Sequence, residues 1–203
     1  PGTYSLAPRS PDEMVAVDVL LGRGPGEAPP DAVLSIVDAS NLERNLFLVS
    51  QVLALGLPTV VALNMIDVAR DRQIEIDAAA LAKRLGVPVV AVQANRRLGL
   101  DELKHALATA AAQPCGERTN PLPAEVREHS RELRETLNGS RAEPLPNFLV
   151  ERLLLDGDGY LERTLLNGDT ATEVAHVKKS RDALAAAGMP VPAVEAIARY
   201  DWV

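Results

Sequence analysis

The chain has 203 residues, 47% hydrophobic and 24% charged, the balance of a globular protein with room for one or two domains. A net charge of −7 and an aromatic content of 3% exclude a broad positive field and a base-stacking platform, so nucleic acid and anionic lipid are not expected as partners. Cys115 is the sole cysteine, which excludes an internal disulfide framework and fits a reducing compartment, and no run of about 18 apolar residues is present to span a bilayer.

The chain opens on Pro1-Gly2-Thr3 without an initiator Met, as expected of a fragment or a processed product. Residues 11–21 (PDEMVAVDVLL) are expected to be helical. Pro11 suits a first helical position, and the charges of Asp12 and Glu13 suit the positive end of a helix. A Gly/Pro-rich loop runs from Gly22 to Pro30, and Ala32 to Val37 is a short apolar run that reads as a buried strand. Residues 42–55 (LERNLFLVSQVLAL) have helical apolar spacing, with Gly56 as the stop. Thr59 to Leu63 is a second strand, residues 77–85 a helix ended by Gly86, Val87 to Val92 a third strand, and residues 100–112 an amphipathic helix.

Strand–helix alternation with short links builds right-handed crossovers and a parallel sheet, so the fold class is α/β. The strands are apolar almost throughout, as expected where helices cover both faces. Residues 1–113 form this first segment. Residues 114–123 (PCGERTNPLP) read as a linker, and residues 124–203 as a small all-α domain. Within that domain, helices are expected at 124–138, from Phe148 to Leu155 and from Arg181 to Ala187, with Gly188 and Pro190 closing the last.

Ligands of open parallel sheets bind at the carboxyl ends of the strands. The second strand is followed by Asn64-Met65-Ile66-Asp67, the third by Gln93-Ala94-Asn95 and the first by Asp38-Ala39-Ser40-Asn41. A carboxylate only accepts, so Asp67 can take two hydrogen bonds from the N1–H and 2-amino groups of guanine. Adenine presents no such donor pair on that edge, and a site built around an acceptor rejects the base that leaves it unpaired. Asn64 can contact the other edge of the base and tie neighbouring loops together, and backbone N–H groups of residues 93–95 can hold the guanine carbonyl oxygen. Alternatively, Asn64 merely caps the following helix in a non-catalytic α/β interaction module. The pattern alone leaves both open.

Other candidates carry less. His105, His129, His176 and Cys115 lack the short spacing of a metal site, so no metal ligand set is expected. Asp156-Gly157-Asp158-Gly159 begins like a calcium loop, but Tyr160 and Asn167 occupy later ligand positions, so it reads as a turn. Gly22-x-Gly24-x-Gly26 follows a helix rather than a strand and is no phosphate cradle.

Three stretches together resemble the ferrous iron transport protein B family: Pro1-Gly2-Thr3-Tyr4-Ser5-Leu6, Asp38-Ala39-Ser40-Asn41-Leu42-Glu43-Arg44-Asn45-Leu46 and Ala62-Leu63-Asn64-Met65-Ile66-Asp67. Leu85 to Val90 leading to Gln93-Ala94-Asn95, Leu153 to Asp158 and Ala198-Arg199-Tyr200-x-Trp202 extend the resemblance over the whole chain. It implies a partial P-loop GTPase, with its N-terminal strands missing, followed by a helical domain. Asn64 and Asp67 would recognise guanine, Met65 and Ile66 would shape that loop, and Gln93, Ala94 and Asn95 would form the next base-contacting loop. Pro1, Gly2 and Thr3 would end the phosphate-side switch motif.

The implied ligands are GTP or GDP with Mg²⁺, whose own ligands would lie in the missing N-terminal part. The implied partners are the protein's own membrane domain beyond Val203 and, in an oligomer, further copies of itself. The implied location is the cytoplasmic face of the bacterial inner membrane. The phosphate-loop motif G-x-x-x-x-G-K-[ST] does not occur in these residues, so no catalytic residue is expected within them. A ribosome- or tRNA-associated GTPase would share Asn64-x-x-Asp67, but its basic RNA-binding appendage has no counterpart in this acidic chain.

Overall fold

The computed structural model describes residues 5–8, 11–23, 28–113, 120–139, 141, 143–157, 159–166, 170–191 and 193–203. The expectations for Pro1, Gly2 and Thr3 lie outside these residues. In chain order the elements are α1 (Pro11–Leu21), β1 (Val33–Asp38), α2 (Leu42–Leu55), β2 (Thr59–Asn64), α3 (Ile66–Asp71), α4 (Ala78–Leu85), β3 (Val89–Ala91), α5 (Leu100–Ala111), α6 (Ala124–Asn138), α7 (Asn147–Leu155), α8 (Tyr160–Leu165), α9 (Thr170–Ala186) and α10 (Ala193–Trp202).

The strands form a parallel sheet in the order β1-β2-β3, with Val33 opposite Thr59, Asp38 opposite Asn64 and Leu63 opposite Ala91. β2 is central and buried from Thr59 to Leu63, which is why it is apolar rather than alternating. β3 is shorter than the sequence suggests because Pro88 has no N–H to give the ladder. The carbonyl of Pro88 still accepts from Val61 N at 2.9 Å, and Val92 N donates to Leu63 O at 2.8 Å.

One face of the sheet is covered by α5, whose Leu103 and Ala110 pack on Val60, Ala62, Val90 and Val92. The other carries α2, which packs on β1 and β2 with Val49, Val52 and Leu53 buried. In a parallel pair, registered residues point the same way, so Leu34 and Ile36 share the α5 face with Val60 and Ala62. Yet Leu34 is 37% and Ile36 65% exposed. Among the described residues the apolar surface therefore runs on past α5 to an uncovered β1 edge.

The chain divides into two compact units. The first contains the segment ending at Leu6 and Gly22–Asn120; the second contains Ala7–Leu21 and Pro121–Trp202. Helix α1 thus groups with the helical unit, whereas the sequence-based boundary kept it in residues 1–113. Proximity along the chain suggested that grouping, but packing decides membership. Met14 and Val17 of α1 are buried.

In the second unit α7 is buried on all sides from Phe148 to Leu155 and packs against α6, α8 and α9. Arg181 of α9 closes its last turn, donating from Nε to Leu154 O at 3.2 Å and from Nη2 to Leu153 O at 2.7 Å, a cation on the negative end of the helix. Asp156 accepts from Gly159 N at 3.1 Å and Leu161 N at 2.7 Å. Its carboxylate thus builds the turn into α8, as the sequence reading of a turn requires. Helices α8 and α10 are not anticipated from the sequence, α3 only as the helix that Asn64 would cap, and α9 begins well before Arg181. Helices α3 and α8 are only six residues long, and in α9 the apolar residues are mostly small, with Val177 and Leu184 the buried ones among the described residues. No helix among the described residues is long and apolar enough to cross a membrane.

Candidate functional site

The three strands end side by side, and their exit loops meet at one rim of the sheet. After β1, Asp38 Oδ1 accepts from Ser40 N at 2.8 Å and shapes a 3-10 turn over Ala39–Asn41, against which α3 packs. After β2 the backbone reverses at Met65, a non-glycine residue held at φ 60 and ψ 34. That left-handed step starts α3 at once and puts Asp67 in its first turn, where a carboxylate also faces the positive end of the helix.

After β3 the chain closes on itself. Gln93 N donates to Leu98 O at 3.1 Å and Leu98 N to Gln93 O at 3.2 Å; Arg96 N and Arg97 N return to Gln93 O and Ala94 O at 3.0 and 3.2 Å. Arg97 at φ 56 and Gly99 at φ 77 complete the reversal into α5.

The two loops are tied by Asn64, whose Oδ1 accepts from Ala94 N at 3.3 Å across thirty residues of sequence. Asn64 therefore does not cap α3: the cap position is Met65, which makes no side-chain cap bond. Asp67 is half-buried, and its carboxylate has no hydrogen bond or ion pair among the described residues. Met65 is exposed and Ile66 is partly buried. Ala94 and Asn95 are exposed, but Gln93 is 7% exposed and its backbone groups are spent inside the loop, so it supports the loop rather than presenting a contact. The loop is longer than the three residues singled out in sequence and extends to Gly99. That glycine, directly before a helical run, was the available signal.

A cavity of about 540 Å³ lies beside this rim, lined by Leu63, Ile66, Ala69, Arg70, Ile74 and Ala91 among others. Asp67 does not line it, being roughly a quarter-turn round α3 from that face. No cluster of metal-ligating residues occurs among the described residues.

The family model for ferrous iron transport protein B matches residues 1–107. The chain belongs to the ferrous iron transport protein B family. Among curated relatives, the Fe(2+) transporter FeoB of Salmonella typhimurium is 48% identical over 111 residues, 53% of this chain and 14% of the relative. The FeoB of Escherichia coli is 46% identical over the same length and coverage. The chain thus spans only a small part of the curated FeoB proteins it matches. Among solved structures, a GDP-bound mutant of S. thermophilus NFeoB aligns with a TM-score of 0.82 and 29% identity, covering 100% of this chain and 75% of that one. S. thermophilus NFeoB bound to GDP.AlF4- and K+ aligns at 0.80 with 30% identity, covering 100% and 76%. The match to nucleotide-bound FeoB domains covers both units, whereas the family model reaches only residue 107.

Proposed function

We propose that this chain is part of the GTP-binding and GTP-hydrolysing module of a ferrous iron transporter, facing the cytoplasm at the inner membrane and followed by the membrane domain that moves Fe²⁺. The reading rests on one arrangement above all: an unpartnered carboxylate at Asp67 beside two loops locked together by Asn64 and Ala94 N at 3.3 Å.

Asp67 accepts the N1–H and 2-amino donors of guanine, both charge-assisted bonds. The Oδ1 of Asn64 holds the Ala94 loop, which leaves the Nδ2 donors for an acceptor on the opposite edge of the purine. In the next loop the N–H groups of Gln93, Ala94, Arg96, Arg97 and Leu98 are already bonded within the protein. The N–H of Asn95 is the donor left to meet the guanine carbonyl oxygen. Met65 and Ile66 set the loop's shape, and Pro1, Gly2 and Thr3 belong to the phosphate-side switch. Mg²⁺ would neutralise phosphate charge and would be held by residues preceding this segment. The likeness to GDP-, GMPPNP- and GDP.AlF4-bound NFeoB domains supports the same ligand class.

Asp67→Asn in the full-length protein tests this. Losing two charge-assisted bonds should weaken GDP by about a hundredfold. Xanthosine diphosphate should gain, because an asparagine amide can donate to the 2-oxo group that replaces the amine. Unchanged preference for GDP in a competition titration would overturn the assignment of Asp67.

A further inference from the structure

Among the described residues of the first unit, Gln51 is the largest polar side chain that is fully buried. It lies in the middle of α2, is 0% exposed, and has the buried apolar neighbours Val49, Val52 and Leu53 in sequence. Leucine or methionine would fill such a position without an amide to satisfy, so the amide calls for a physical reason. Its Oε1 accepts from Leu6 N at 2.7 Å and from the Ser5 hydroxyl at 3.1 Å, reaching back 45 residues along the chain. Leu6 itself is 4% exposed. Helix α2 is anchored on β1 and β2, so Gln51 fastens the incoming segment to the rigid part of the sheet.

The position of this fastening is informative. The chain leaves the first compact unit between Leu6 and Ala7, and the next residues lead into α1, which belongs to the second unit. A few residues upstream stands Gly2, the expected end of the phosphate-side switch. Gln51 therefore grips the chain between the place where the γ-phosphate would be sensed and the helix that belongs to the helical unit.

Resting on the guanine-nucleotide reading above, we propose that Gln51 is a positioning residue for switching. It is the fixed point at which a rearrangement at Gly2 is either held or released into α1. While both bonds are made, Leu6 is pinned to α2 and the chain runs into α1 from a fixed point. A rearrangement that pulls Leu6 away leaves a buried carbonyl oxygen without two of its donors, so intermediate positions are disfavoured and the response has two states. A methionine of similar length would keep the packing but remove this discrimination.

The experiment is hydrogen exchange with mass spectrometry on the full-length protein, loaded with GDP or with a non-hydrolysable GTP analogue, together with equilibrium binding of each nucleotide. In the parent protein, exchange across residues 5–21 should differ between the two nucleotides. In Gln51→Met, the Leu6 amide should exchange about tenfold faster, the nucleotide-dependent difference across residues 11–21 should disappear, and GDP affinity should stay within about twofold because the base contacts are untouched. Gln51→Glu retains acceptor oxygens and should restore protection of Leu6. Ser5→Ala removes one donor of two and should move exchange in the direction of Gln51→Met by a smaller factor. It carries the decision should Gln51→Met fail to fold. A parental exchange difference in Gln51→Met, or no change at all in Ser5→Ala where that variant decides, would overturn the proposal while leaving guanine binding intact. Failure of the parent protein to bind GDP would instead overturn the guanine reading, and this inference with it.

Discussion

A Cβ added at position 99 would sit 2.3 Å from the carbonyl oxygen of Ala91 and 3.2 Å from Val92 Cγ1, on a backbone already at φ +77. Both facts require glycine, and the atom in the way is backbone, which cannot swing aside. Gly99→Ala should therefore destabilise the chain by about 2 kcal/mol or more, read from a denaturant melt, from left-handed strain plus displacement of β3. It should also weaken GDP binding in the full-length protein, because the loop carrying Ala94 and Asn95 closes through this residue. At this scale Asn64 and Asp67 are singled out in the sequence by their spacing and their place directly after a strand, a pattern that by itself leaves a helix cap equally open. The buried state of Gln93 and the left-handed Met65 are not legible there, because both follow from how the loop closes on the strand rather than from residue type.

At the scale of elements, helix α10 is held to α7 by buried charge rather than by an apolar stripe alone. Arg152 donates from Nη1 to Glu195 Oε2 at 2.8 Å. Its Nη2 lies 2.7 Å from Oε1 at an angle too poor for a hydrogen bond, so that contact is ionic. Arg199 donates from Nε to the same Oε1 at 2.7 Å. The Arg152 guanidinium also lies 5.6 Å from the ring centre of Phe148. Burial pushes the Arg199 guanidinium below its ordinary value, and the Glu195 carboxylate beside it opposes that shift.

Removing the shared anion leaves two guanidinium groups in the interior. Glu195→Gln should cost about 3–5 kcal/mol in a denaturant melt, whereas replacing Arg152, Glu195 and Arg199 together by apolar residues of similar volume, with Glu151→Gln to neutralise the buried carboxylate that would otherwise be stranded beside them, should be close to neutral. Equal losses in the two variants would show that packing, not charge, holds α10. This network explains why α10 escaped sequence reading: Glu195 and Arg199 look like a solvated helix face until α7 brings Arg152 against them. The opposite holds for β2 and α2, whose apolar runs and Gly56 stop were readable because each signal is local.

For the molecule as a whole, 203 residues carry the rim where the three strand-exit loops meet but not the motif G-x-x-x-x-G-K-[ST] that cradles phosphate. Phosphate contacts and Mg²⁺ supply much of the affinity of nucleotide sites of this class. Residues 1–203 alone should accordingly bind GDP more weakly than about 1 µM and hydrolyse no GTP. Isothermal calorimetry decides the first point, and micromolar or tighter binding would contradict this division of labour. The uncovered Leu34 and Ile36 bear on the same experiment, because an open parallel edge favours self-association and the titration should be checked for it by light scattering.

The amino-acid sequence by itself determined the α/β class, the parallel order implied by strand–helix alternation and the family, and it singled out the candidate side chains at 64 and 67. Each of these depends on short-range periodicity, on turn chemistry or on a distinctive local string. Only the tertiary structure decided that Asn64 spends its carbonyl oxygen on Ala94 rather than on a helix cap, that α1 packs with the helical unit, that Gln51 grips Leu6, and that α10 rests on a buried carboxylate. Three of those outcomes join residues 30 to 45 positions apart, and α1 groups with residues about 100 or more positions on. Their free energies come from desolvated polar groups finding partners across the fold, a quantity that no local pattern of residues encodes.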